Sequence, residues 1–83
     1  MDKEKDRFIL ILARKQGQAE QYASQRRLNP DNWLYVGRRE DVRGRQHLRV
    51  IMLPDFWINT EARMAFADLK ISGRDVVFED DDF

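Results

Sequence analysis

The 83-residue chain reads as a small α/β domain. The expected architecture is a mostly parallel sheet of three to four strands, ordered 2-1-3-4, with two main helices: a truncated doubly wound fold. Two observations predict it. Apolar runs suited to buried strands alternate with segments whose apolar residues recur at helical spacing, and that alternation argues for a parallel sheet covered by helices. The first run is also the most apolar, which places it at the centre of the sheet.

Phe8-Ile9-Leu10-Ile11-Leu12-Ala13 is unbroken, as a strand buried on both faces requires; a half-exposed strand would alternate. Ala19, Tyr22, Ala23 and Arg26 then fall at helical spacing. Leu28-Asn29-Pro30 is expected to stop this helix, because the residue before proline is pushed out of helical geometry. Asp31-Asn32 turns the chain into a second strand, Trp33-Leu34-Tyr35-Val36-Gly37, rich in aromatic and branched residues. Arg38 to Gly44 holds one apolar residue and reads as a single helical turn with a glycine cap, or as a loop.

His47 to Leu53 forms the third strand, stopped by Pro54. Ile58, Ala62, Ala65, Phe66 and Leu69 make the apolar stripe of the second helix, with Asn59 or Thr60 as N-cap and Gly73 as its end. Val76-Val77-Phe78 supplies a short fourth strand. The domain is expected to span residues 1–78 and to be followed by an acidic tail, Glu79-Asp80-Asp81-Asp82-Phe83. With only two full helices, one face of the sheet is expected to be thinly covered and to favour a homodimer.

Composition narrows the function. The chain has no cysteine, which excludes disulfides, thiolate metal sites and covalent catalysis through sulfur. No apolar run approaches the roughly 18 residues a membrane span needs, and charged Met1–Arg7 precedes no segment of secretory-signal length. A soluble protein of the cytoplasm is expected. Net charge is zero, yet residues 1–47 carry 11 Lys/Arg against 7 Asp/Glu, and residues 48–83 carry 4 against 8. One half is therefore +4 and the other −4.

In open α/β sheets, ligands bind beyond the carboxyl ends of the strands. That rim would carry Arg14 and Lys15 after the first strand, Arg38 and Arg39 after the second, and Asp55 after the third. It is a basic rim that suits a phosphate group. No nucleotide-enzyme motif supports it: Ala13 to Gln18 has one glycine and lacks both the G-x-G-x-x-G turn and the G-K-[ST] of a phosphate loop. The single histidine, His47, excludes a two-histidine metal site within one chain. Ser24 and Ser72 have no base assigned by spacing, and nothing in the spacing pairs Asp55 with Asp75 or Glu40. No cofactor and no catalysis are expected. Arg38, Arg39, Arg43 and Arg45 follow Trp33 and Tyr35 closely, as in single-strand binders that stack bases on aromatics; but Trp33 and Tyr35 share a strand face, which reads more simply as packing.

The acidic run resembles the Phe-ended acidic tips of bacterial and phage single-stranded-DNA-binding proteins. That resemblance covers residues 79–83 and implies docking of Asp80, Asp81, Asp82 and Phe83 into a basic-rimmed apolar pocket on a replication, recombination or repair protein. The alternative is a solubilising tail that discourages edge association, or one packed back on the basic half of its own domain. Tyr35-Val36, Val42-Arg43-Gly44 and Leu53-Pro54 with Trp57 also resemble small proteins of bacteriophages, particularly of actinobacterial hosts, over residues 8–69. This implies a phage origin and a binding role in the host cytoplasm. The leading expectation is a non-enzymatic accessory protein acting through protein contacts, with exposed Phe56 and Trp57 as further anchors. The alternative is nucleic-acid or phosphate-ligand binding through Arg14, Lys15, Arg38, Arg39, Arg43 and Arg45.

Overall fold

The computed structural model describes residues 7–72 and 75–82. In chain order it contains β1 (Phe8–Leu12), α1 (Gln16–Gln25), β2 (Trp33–Tyr35), β3 (Leu48–Met52), α2 (Thr60–Ser72) and β4 (Val76–Asp80). The strands form one sheet ordered β2-β1-β3-β4, and every pairing is parallel. The expected class and strand order are both observed.

Register decides what each face carries. Ile9 pairs with Trp33 and Arg49, and Ile11 with Tyr35 and Ile51. Ile9, Ile11, Ala13, Ile51 and Leu53 form one core with Ala19, Tyr22 and Ala23 of α1. The alternate residues Leu10, Leu12, Leu48 and Val50 meet Ala62, Ala65 and Leu69 of α2 on the other face. Leu10, Ile11 and Leu12 are all fully buried, which is why the first apolar run has no polar alternation.

The connection from β2 to β3 has no full helix. Its 310 turn, Arg39–Val42, inserts Val42 into the α2-side core and so occupies the place of a crossover helix. Each face thus has one helix, and the thin cover lies at the two edge strands, where Trp33, Leu34 and Tyr35 of β2 and Val76, Val77 and Phe78 of β4 remain half-buried.

Several boundaries differ from expectation for identifiable reasons. Proline does not stop α1. The helix closes earlier: Leu28 N–H donates to the Ala23 carbonyl, Arg27 N–H donates to the Ser24 carbonyl, and Arg27 is left-handed at φ 55°. This is a Schellman end with arginine where glycine is usual, and Leu28 folds back onto the α1-side core. Ile58 lies ahead of α2 in a 310 turn, Phe56–Ile58, and is 56% exposed, so it does not belong to the buried stripe. The cap assigned to Gly73 lies outside the described residues.

The largest difference concerns the acidic run. β4 continues through Glu79 and Asp80, which pair with Ile51 and Met52, and Asp81 N–H donates to the Met52 carbonyl at 3.1 Å. The boundary drawn between residues 78 and 79 therefore falls inside a strand. Backbone pairing continues through the acidic residues because two of the charges find partners while Asp80 and Asp82 face water. Arg49 on the neighbouring strand pairs with Glu79, and Asp81 turns toward α1.

Candidate functional site at the carboxyl rim of the sheet

The chain reverses direction at the carboxyl end of β3 through Asp55, left-handed at φ 64°, and enters the turn Phe56–Ile58. Asn59 fixes this turn. Its Oδ1 accepts from Glu61 N–H at 3.1 Å and Ala62 N–H at 3.3 Å, which makes it the N-cap of α2. Its Nδ2 donates to the Ala13 carbonyl at 3.1 Å and to the Tyr35 hydroxyl oxygen at 3.0 Å. One side chain thereby joins the carboxyl ends of β1 and β2 to the start of α2.

The turn separates two aromatic roles that the sequence groups together. Phe56 is half-buried and packs on the α2-side core, with its ring 5.5 Å from Phe66, so it is not the exposed anchor expected. Trp57 is: it meets Phe56 edge-on at 5.9 Å and remains 54% exposed, beside Ile58. From Phe66 the aromatic contacts continue to Phe78 of β4 at 5.4 Å, with the Lys70 ammonium 4.5 Å from the Phe78 ring centre. A row of rings thus supports Trp57 from beneath.

β3 and β4 are neighbours, so the turn after β3 and the acidic residues ending β4 share one corner of the rim. Asp81 is committed there: it accepts from the Tyr22 hydroxyl at 3.1 Å and from Arg26 at 3.1 Å. Burial, and then the Asp81 carboxylate beside it, push the Tyr22 hydroxyl above its ordinary pKa. Asp80 and Asp82 are exposed. Phe83 lies outside the described residues. Part of the acidic run is therefore docked on its own domain, against a basic residue of the amino-terminal half.

The basic residues do not form a single rim. Arg14 and Lys15 line a depression of about 410 Å³ with Pro54 and Asp55, at the switch point between β1 and β3 where the rule for open sheets places ligands. Arg38 borders a separate hollow beside β2. Arg39, Arg43 and Arg45 instead line a cleft against the last turns of α2. Arg45 lies over the ring of Phe8, 4.7 Å from its centre, at the amino end of β1. Trp33 and Tyr35 pack against the α1-side core, as their shared face implied.

At the amino end of the sheet, Asp75 accepts from Arg7 at 2.7 Å and lies 2.7 Å from His47 Nδ1. The hydrogen bond with His47, followed by that with Arg7, holds the Asp75 carboxyl below the usual carboxylate range. His47 therefore has a structural role. Asp55, at the opposite end of the sheet, cannot pair with Asp75. Because the folded form of Asp75 has the lower pKa, its stabilising contribution is complete above the unfolded value of about 3.9. It is lost as pH falls through the lower folded value. Asp68, lowered first by its hydrogen bond with Arg39, acts in the same direction. Urea midpoints measured from pH 6 to pH 2 should fall below about pH 4. The fall should be shallower for Asp75→Asn, since asparagine tolerates the left-handed backbone at this position. Equal slopes for both proteins would remove Asp75 from the account.

Among the described residues, no group of three or more His, Cys, Asp or Glu could hold a metal ion, and no helix is long and apolar enough to cross a membrane. No family model, no curated protein and no solved structure matches this chain.

Proposed function

We propose that the protein is a non-enzymatic binding module that contacts a protein partner through the corner of the carboxyl rim formed by Trp57 and Ile58, with Asp80 and Asp82 as its charged border. The observation that carries this reading is the exposure of Trp57, at 54%, on a turn held rigid by Asn59. Tryptophan side chains are among the most effective interface anchors, and a rigid turn orders little on binding. The complementary partner surface is an apolar pocket bordered by Lys or Arg. That is the same recognition chemistry as the resemblance of the acidic run implies, with Trp57 supplying the apolar anchor. A phage-encoded accessory role in the host cytoplasm accords with this reading.

Trp57→Ala is expected to weaken partner binding by about 2 kcal/mol or more, roughly 30-fold. Folding stability should change by only about 0.5–1 kcal/mol, because most of the ring is in water. Ile71→Ala, at a residue 86% exposed near the far end of α2, should leave binding unchanged. Affinity chromatography with the three proteins side by side makes the comparison. Equal retention of the same partner by wild type and Trp57→Ala would refute the assignment.

A further inference from the structure

A basic surface lies apart from the carboxyl rim, between the 310 turn Arg39–Val42 and the last turns of α2. Arg39, Arg43 and Arg45 line a cleft of about 350 Å³ there, with Asp68 and Ser72 opposite them. Val42 and Leu69, both buried, form its apolar floor. Three guanidinium groups thus face one carboxylate.

That carboxylate is already neutralised. Asp68 takes a two-pronged hydrogen bond from Arg39, at 2.6 Å from Nε and 3.0 Å from Nη2. Asp41 turns its carboxylate to the backbone N–H groups of Gly37 and Arg38, while Glu40 and Glu61 act on Arg39. Arg45 is held in place by its Nε bond to the Asp41 carbonyl at 2.8 Å and by the Phe8 ring. Its charge has no carboxylate partner within ion-pair distance among the described residues. The Arg43 side chain forms no hydrogen bond or ion pair among the described residues. Gly44, at φ 74°, lets the chain turn between these two arginines, and a Cβ there would meet nothing within 4 Å.

We propose that this cleft binds a compact phosphate-bearing ligand, with Arg43 and Arg45 as its anion-binding forks and Arg39 held as a supporting wall by Asp68. Planar guanidinium groups suit phosphate because two parallel N–H donors match two phosphate oxygens. The cleft volume fits one phosphate or diphosphate group with a small substituent. An extended strand would instead need a continuous basic track, and Arg14, Lys15 and Arg38 lie in other hollows.

Inorganic pyrophosphate and inorganic phosphate are the probes, titrated into the full ¹⁵N-labelled chain at low ionic strength. Saturable amide shifts at Arg43, Gly44, Arg45 and Ser72 are expected, with affinity about tenfold lower or more in Arg43→Gln. Lys15→Gln should retain wild-type affinity. The proposal is overturned by an absence of saturable shifts, by shifts centred on Arg14 to Gln18, or by unchanged affinity in the folded Arg43→Gln/Arg45→Gln double variant. A single-stranded oligonucleotide provides the remaining arm. If it bound more tightly than pyrophosphate and shifted the separate basic hollows together, the ligand class would be nucleic acid and the compact-ligand proposal would fail.

Discussion

Removal of residues 79–83 is expected to destabilise the domain by about 2–4 kcal/mol, because most of what is lost is hydrogen bonding at roughly 1 kcal/mol per bond. A solvated tail would give no such effect. The deletion removes the last two pairings of β4 with β3, at Ile51 and Met52, and the bond from Asp81 N–H to the Met52 carbonyl. It also removes the contacts of Asp81 with the buried Tyr22 and with Arg26, and the ion pair of Arg49 with Glu79. For a domain of this size the loss is a large part of a total near the lower end of the usual 5–15 kcal/mol. Urea denaturation reads it directly. Asp82→Asn, at an exposed residue, should leave the midpoint in place. An unchanged midpoint on deletion would return residues 79–83 to the status of a free tail. The same result governs how partner binding is dissected. Deleting the acidic run alters the fold and the surface together, so neutralising substitutions at Asp80 and Asp82 are the informative variants.

Asn59→Ala is expected to cost about 2–4 kcal/mol: roughly 1 for the lost N-cap and the remainder for acceptors left short of a donor at Ala13 and Tyr35. Asn59→Ser separates the contributions. A serine hydroxyl can still accept from the first turn of α2 but cannot reach both the Ala13 carbonyl and the Tyr35 hydroxyl, so about half the loss should return. Tyr35→Phe should cost about 1 kcal/mol, and combined with Asn59→Ala it should add little beyond the single change. Thermal or urea unfolding of the wild type, Asn59→Ala, Tyr35→Phe and the double variant forms the cycle. Full additivity would mean that Asn59 and Tyr35 do not act through one another, and the turn carrying Trp57 would lose its main support.

The sequence indicates the sheet because its signals are local and agree. Phe8 to Ala13 has no polar interruption, and both helices present alanines, Ala19 and Ala23 on one and Ala62 and Ala65 on the other, where they approach the strands. The sequence places the cap of α2 at Asn59 or Thr60, and the hydrogen bonds from Glu61 and Ala62 select Asn59. Its donation to Ala13 and Tyr35, distant by 46 and 24 residues, depends on tertiary placement and leaves no trace in spacing. The acidic run misleads for a related reason. Four consecutive acids read as a solvated tail because the partners of two of them, Arg49 for Glu79 and Tyr22 and Arg26 for Asp81, lie 30, 59 and 55 residues away. Phe56 and Trp57 are adjacent and chemically alike, and only the 310 turn determines which of them is buried. The strand-end rule puts Arg14, Lys15, Arg38 and Arg39 on one rim, and closeness in sequence adds Arg43 and Arg45. The turn at Arg39–Val42 carries Arg39, Arg43 and Arg45 to the α2 side and away from Arg14 and Lys15.

The most direct test of the carboxyl-rim contact is photo-crosslinking from a benzophenone amino acid placed at position 57, in parallel with the same group at the exposed Glu20 of α1. Both proteins would be produced in cells of the source organism and their adducts mapped by mass spectrometry. The account predicts one dominant adduct from position 57 and none in common from position 20. The crosslinked peptide should line an apolar pocket bordered by Lys or Arg, and the adduct should diminish with Asp80→Asn/Asp82→Asn. Indistinguishable adducts from the two positions, or a partner that crosslinks from Glu20 alone, would contradict it.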